Sequence, residues 1–81
     1  MLHSGYPMSK DSRDIVERFG ERVRQLREAK GMGQIALSEK MGVQQPGISL
    51  VETGKQEPCL RYIDMLATAL DMSLSDLFKG L

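Results

Sequence analysis

Three glycines, Gly31, Gly42 and Gly54, each fall just past a run of apolar residues spaced three and four apart. A glycine in that place ends a helix, because it adopts the left-handed backbone that closes a helix C-terminus. Helices this short, joined by turns this tight, predict a compact all-α domain. The first helix carries one apolar stripe (Ile15, Val16, Phe19, Val23, Leu26), is capped by Asp11 or Ser12, and ends at Gly31. Gly20 interrupts it at a cost of roughly 1 kcal/mol against Ala, which points to a close contact there. The second helix runs from about Gln34 to Met41, with Leu37 and Met41 inward. The third runs from Gln45 to about Thr53, with Ile48 and Val51 inward. Pro46 fits its first turn, where a missing amide costs nothing. The fourth spans about Leu60 to Leu70, with Leu60, Ile63, Leu66, Ala67 and Leu70 on one side. The fifth covers about Ser75 to Lys79, with Leu74, Leu77 and Phe78 inward. No strand pattern is present. Residues 1–10 have no periodicity and read as a flexible tail ahead of one five-helix domain over 11–81.

The chain has 81 residues, enough for one small domain. Cys59 is its one cysteine and His3 its one histidine, so neither a disulfide framework nor a His/Cys metal site is expected. With no clustered carboxylate pair either, no acid–base or nucleophilic set can be assembled, and neither an enzyme nor a cofactor is expected. A lone cysteine suits a reducing cytoplasm. The first residues lack the basic and apolar regions of a signal peptide, and no run approaches a membrane span. Cys59 reads as a small residue at a helix start, with redox sensing the sharper alternative. The six methionines read as core filling or tail.

Residues 34–53 are the informative stretch. Two short helices separated by Gly42-Val43 must cross steeply, and the second can then protrude into a DNA major groove. Small Ser38 permits close helix contact, while Leu37, Val43, Ile48 and Val51 anchor both helices. Residues 19–78 resemble the phage-repressor/Cro type of helix-turn-helix domain. The likeness is carried by Leu26-Arg27, Gly31-Met32-Gly33-Gln34, Lys40-Met41-Gly42-Val43, Ile48-Ser49, Glu52-Thr53-Gly54-Lys55, Pro58 and Leu77-Phe78 in one gap-free order. The resemblance implies a five-helix domain that binds operator DNA as a symmetric dimer.

The resemblance also suggests roles. Gln45 matches a glutamine that reads adenine, whose N7 and N6 suit an amide's donor and acceptor. Gln44 is placed for a base or a phosphate, and Ser49 for either. Leu50 is placed for thymine methyl groups or for a partner protein. Read as plain surface, Gln44 and Gln45 are solvated amides. Gln34, at the start of the second helix, is placed to hold a phosphate with the free amides of that turn. Lys55, Thr53 with the Gly54 backbone, and Arg24 are further phosphate candidates, which fix register without reading sequence. Glu52 matches an acid that pairs internally with an arginine, here Arg27. Five positions depart from the family pattern. Gly33 and Cys59 stand in place of Ser/Thr caps, Ile35 is apolar where a polar residue is usual, and Pro46 with Gly47 leaves few side chains for reading.

The expected function is a sequence-specific transcription regulator, acting as a homodimer on a pseudo-palindromic double-stranded operator. Tyr62, Met65, Leu74 and Leu81 are dimer-contact candidates. The alternative is an antitoxin or protein-interaction module on the same fold, which Leu50, Ile35 and the zero net charge favour. That zero sum argues against nucleic acid on its face, but it hides an uneven layout. Residues 18–30 hold five cations (Arg18, Arg22, Arg24, Arg27, Lys30) against two acids, and residues 57–81 hold four acids against two cations. The neutral total predicts weak non-specific binding and reliance on base contacts.

Overall fold

The computed structural model describes residues 13–81. The tail and the two cap candidates Asp11 and Ser12 lie outside the described residues. Five α-helices follow one another: α1 Ile15–Ala29, α2 Gln34–Met41, α3 Gln45–Glu52, α4 Leu60–Ala69 and α5 Leu74–Leu77. Among the described residues there is no strand. The cap of α1 is Asp14, whose carboxylate accepts from the Val16 amide at 2.8 Å.

The core is formed by Phe19 and Val23 of α1, Leu37 and Met41 of α2, Ile48 and Val51 of α3, Leu66, Ala67, Ala69 and Leu70 around α4, and Leu77 of α5. α3 packs against α1 and α2, α2 also meets α4, and α4 meets α5. Leu60 departs from the expected inward set. As the first residue of α4 it is 75% exposed, because the helix begins before reaching the core. Leu74 and Phe78 are also partly exposed, at 39% and 41%, although Phe78 keeps its ring 5.7 Å from that of Phe19.

The turn that sets the angle between α2 and α3 is closed by Gly42 at φ +72°. Its amide donates to Glu39 O and that of Val43 donates to Ser38 O, which satisfies the carbonyls left open at the end of α2. Ser38 is buried and its hydroxyl donates to Ile35 O at 2.7 Å, so the close helix contact leaves it satisfied.

Gly20 is where α1 meets the end of α3. A Cβ there would lie 2.2 Å from Val51 O and 2.8 Å from Glu52 O, and both are backbone atoms. Only glycine lets the two helices approach this closely. Gly20→Ala should therefore cost about 3 kcal/mol or more through overpacking, despite alanine's better helix propensity. Chemical denaturation checks this, and an unchanged midpoint would contradict the contact.

Candidate nucleic-acid interface

The site is built on a buried ion pair. Arg27 Nε donates to Glu52 Oε2 at 2.7 Å and Arg27 Nη2 donates to Glu52 Oε1 at 2.9 Å, a bidentate fork. The side chains are 9% and 1% exposed. The remaining nitrogen, Nη1, donates to Met32 O at 2.8 Å and so holds the loop before α2. The hydrogen bond to Glu52 raises the Arg27 pKa above its ordinary value, partly opposed by burial.

A line of hydrogen bonds runs from this pair to the surface. Gln34 Nε2 donates to Glu52 Oε1 at 3.1 Å, and Gln45 Nε2 donates to Gln34 Oε1 at 2.6 Å. The first residues of α2 and α3 are thereby tied to each other and to the α1–α3 pair. One amide hydrogen of Gln45 is held by Gln34, which leaves its second hydrogen and its Oε1 for an outside partner. These are the groups an adenine edge requires.

Around this line, Gln44 is exposed and forms the N-cap of α3 without a side-chain cap bond. Ser49 is half-buried, while Leu50 is 39% exposed on α3. Arg24 and Lys55 are exposed. No side chain caps α2, where Gly33 stands.

Three phosphate candidates are engaged within the protein, Gln34 through the line just described, which leaves it one side-chain amide hydrogen. The Thr53 hydroxyl donates to Ser49 O at 2.7 Å, so its proton is used within α3. The Gly54 amide donates to Val51 O and the Lys55 amide to Leu50 O, so the loop after α3 spends these amides on closing the helix. Lys55 can contribute only its side-chain charge there.

The cation excess of residues 18–30 is also smaller at the surface than the sequence suggests. Arg22 donates to Leu77 O at 3.2 Å and Asp76 O at 2.7 Å. Arg18 donates to Leu81 O at 2.7 Å and Arg13 O at 3.0 Å. Arg22 thus binds carbonyls of α5, a helix with no basic residue in its last turn, and Arg18 binds the Leu81 carbonyl beyond it. With Arg27 buried, Arg24 and Lys30 are the exposed cations of that segment. The signal in the sequence was the spacing of Arg18 and Arg22, four apart on one helix face.

The four dimer-contact candidates do not share one environment. Tyr62, Met65 and Leu81 pack against the core, and Leu74 is 39% exposed. An apolar hollow of about 140 Å³ lies between α1 and the C-terminal half, lined by Ile15, Phe19, Pro58, Ile63, Phe78 and Leu81 among others. It uses no residue of α2 or α3.

The Tyr62 hydroxyl points inward, where a Cβ on Gly47 of α3 would lie 3.7 Å away, and finds no hydrogen-bond partner among the described residues. Cys59 is exposed at the start of α4 and makes no cap bond. Among the described residues no group of His, Cys, Asp and Glu could hold a metal ion, and no helix is long and apolar enough to cross a membrane.

Five helices around a glycine turn, with the ends of α2 and α3 drawn together, define a helix-turn-helix domain. The model of the helix-turn-helix family matches residues 23–77, and the chain belongs to that family. It is 36% identical over 62 residues to YonR, an SPbeta prophage-derived HTH-type transcriptional regulator of Bacillus subtilis. That match takes in 76% of this chain and 57% of YonR, so the chain spans little more than half the length of that relative. The restriction-modification controller protein C.AhdI from Aeromonas hydrophila superposes with a TM-score of 0.75 at 40% identity, over 78% of this chain and 96% of that one. The P22 c2 repressor, solved in complex with a synthetic operator, gives a TM-score of 0.69 at 35% identity, over 78% and 96%.

Two substitutions test the packing that builds the site. Arg27→Ala leaves the Glu52 carboxylate buried without its cation and should cost about 3–5 kcal/mol. Thermal denaturation reads this, and an unchanged melting temperature would contradict the pair. Tyr62→Phe removes an inward hydroxyl without a partner among the described residues and should be neutral or stabilising by up to about 1 kcal/mol. Burial first, and then the negative charge of Glu52, raise the Tyr62 pKa above 10.0. The unfolded chain thus loses this proton first, and the stability Tyr62 contributes below its ordinary pKa fades as pH rises through the folded value. Tyr62→Phe should flatten the fall in stability above about pH 10, measured by urea midpoints across pH.

Proposed function

We propose that this domain is a sequence-specific transcription regulator that binds double-stranded DNA with α3 in the major groove. The observation that carries this reading is the hydrogen-bond line from Arg27 through Glu52 and Gln34 to Gln45. It fixes an amide at the N-terminus of the second helix of a helix-turn-helix, the end that meets base edges in such proteins. Gln45 reads adenine, with Gln44 and Ser49 as further base or phosphate contacts. Gln34 and the uncapped start of α2, together with Lys55 and Arg24, hold phosphates. The action is occupancy of a promoter region in the cytoplasm and requires no catalysis.

We further read the protein as a homodimer on a pseudo-palindromic operator, with half-sites about 34 Å apart. Leu74, Phe78 and the apolar hollow near them offer surface for that contact. They lie on α5 and the α1 side, away from the residues that read DNA.

Binding to a duplex selected from random DNA tests the reading. Gln45→Ala should lose roughly 1–3 kcal/mol, and only on duplexes with adenine at one position of each half-site. A uniform loss over all sequences would make Gln45 a backbone contact. With Arg24 and Lys55 from each of two subunits at the phosphates, log K should fall with log salt at a slope of roughly −4. Failure to retain any duplex at low salt would contradict the DNA reading and favour a protein-interaction module, whose surface would include exposed Ile35 and Leu60.

A further inference from the structure

The buried side of α3 is Ile48, Val51 and Glu52. At 100° per residue, the opposite side of the helix is Pro46 and Leu50, with Thr53 and Ser49 beside them. Pro46 and Leu50 are both exposed. The Thr53 hydroxyl has turned its proton back to Ser49 O. Gln45 lies nearer the α2 edge, where Gln34 holds it. The outermost ridge of this helix is therefore hydrocarbon, and no charged side chain stands on it.

Leu50 is also firmly placed. Its carbonyl accepts from the Lys55 amide at 2.9 Å and from the Gln56 amide at 3.2 Å. The closing turn of α3 thus fixes the backbone of Leu50 and the direction in which its side chain leaves the helix.

We propose that Leu50, beside Pro46, recognises the C5-methyl group of a pyrimidine, and that 5-methylcytosine serves it as well as thymine. The inference rests on α3 being the helix that enters the major groove. In that groove the donors and acceptors of the base edges offer nothing to an aliphatic side chain, and burying them against one carries a cost. The methyl of thymine is the apolar feature present there, and contact with Leu50 removes both from water. A 5-methylcytosine carries its methyl on the same ring carbon. It differs from thymine at the neighbouring exocyclic group, N4 in place of O4, which a leucine does not distinguish. The reading face would therefore sense methylation of cytosine at one position of each half-site.

The test alters the DNA while keeping the full chain. In a duplex selected from random DNA, each thymine is replaced in turn by uracil, which removes only the methyl. At the position found sensitive, a C·G pair is then compared with and without the 5-methyl. Uracil at that thymine in one half-site should weaken binding about fourfold, the worth of one buried methyl, and in both half-sites about fifteenfold, and methylating the cytosine in one half-site should strengthen it about fourfold. Leu50→Ala should abolish both differences, and Leu50→Met, which keeps the hydrocarbon, should retain them. Indifference to uracil at every position overturns the proposal, as does indifference to the cytosine methyl or persistence of either effect in Leu50→Ala. A flat scan on a duplex that still binds tightly overturns this inference alone. If no duplex is selected, the DNA reading fails and this proposal fails with it.

Discussion

The bidentate pair between Arg27 and Glu52 is the interaction on which the arrangement of the other elements depends. It joins the last turn of α1 to the end of α3, and the third nitrogen of Arg27 reaches the Met32 carbonyl in the loop before α2. One guanidinium thus touches the three parts of the chain that must agree if α3 is to be presented at a fixed angle. A buried ion pair is weak support for net stability, since desolvating both ions offsets much of their attraction. Its worth here is geometric. The fork admits one arrangement of donors and acceptors, and Glu52 Oε1, already bonded to Arg27, accepts a second hydrogen bond from Gln34.

Glycine supplies the complementary constraint. The approach of α1 to the Val51 and Glu52 carbonyls at Gly20 brings Arg27, two turns further along α1, within reach of Glu52. Steric room at one end of the contact and a charge fork at the other define the α1–α3 crossing. The remaining arginines of α1 serve α5. Arg22 binds the Asp76 and Leu77 carbonyls of a short helix with no basic last turn, and Arg18 binds the Leu81 carbonyl that follows it. The net charge of the chain is thus a poor guide to its surface, because three of the five cations in residues 18–30 are committed to the protein itself.

Much of this was legible in the sequence because it rests on local rules. Gly31, Gly42 and Gly54 marked three helix ends, the i, i+3, i+4 stripes marked the inward faces, and the isolated Gly20 marked a close approach. The Arg27–Glu52 pair was legible only through the resemblance to repressor domains, since periodicity alone does not connect residues 25 apart. The departures have a common physical cause. Leu60 and Leu74 satisfy a helical period, but each is the first residue of its helix, and period says nothing of how far the core extends. The hydrogen bonds of Thr53 and Gly54 within their own turn, and those of Arg18 and Arg22 to α5, depend on which carbonyls the folded chain leaves open. Only the tertiary arrangement decides that.

The central claim is that the start of α3, held by the line from Arg27 to Gln45, is the surface that meets DNA. Backbone amide resonances followed while a selected duplex is added test it most directly. The account predicts that the largest shifts fall on Gln34, on Gln44, Gln45 and Gly47 to Leu50 and on Lys55, with the residues of the apolar hollow, Ile15, Ile63 and Phe78, little affected by the DNA itself. Shifts confined to α4 and α5, with Gln34 and Gln45 unmoved at saturation, would contradict it.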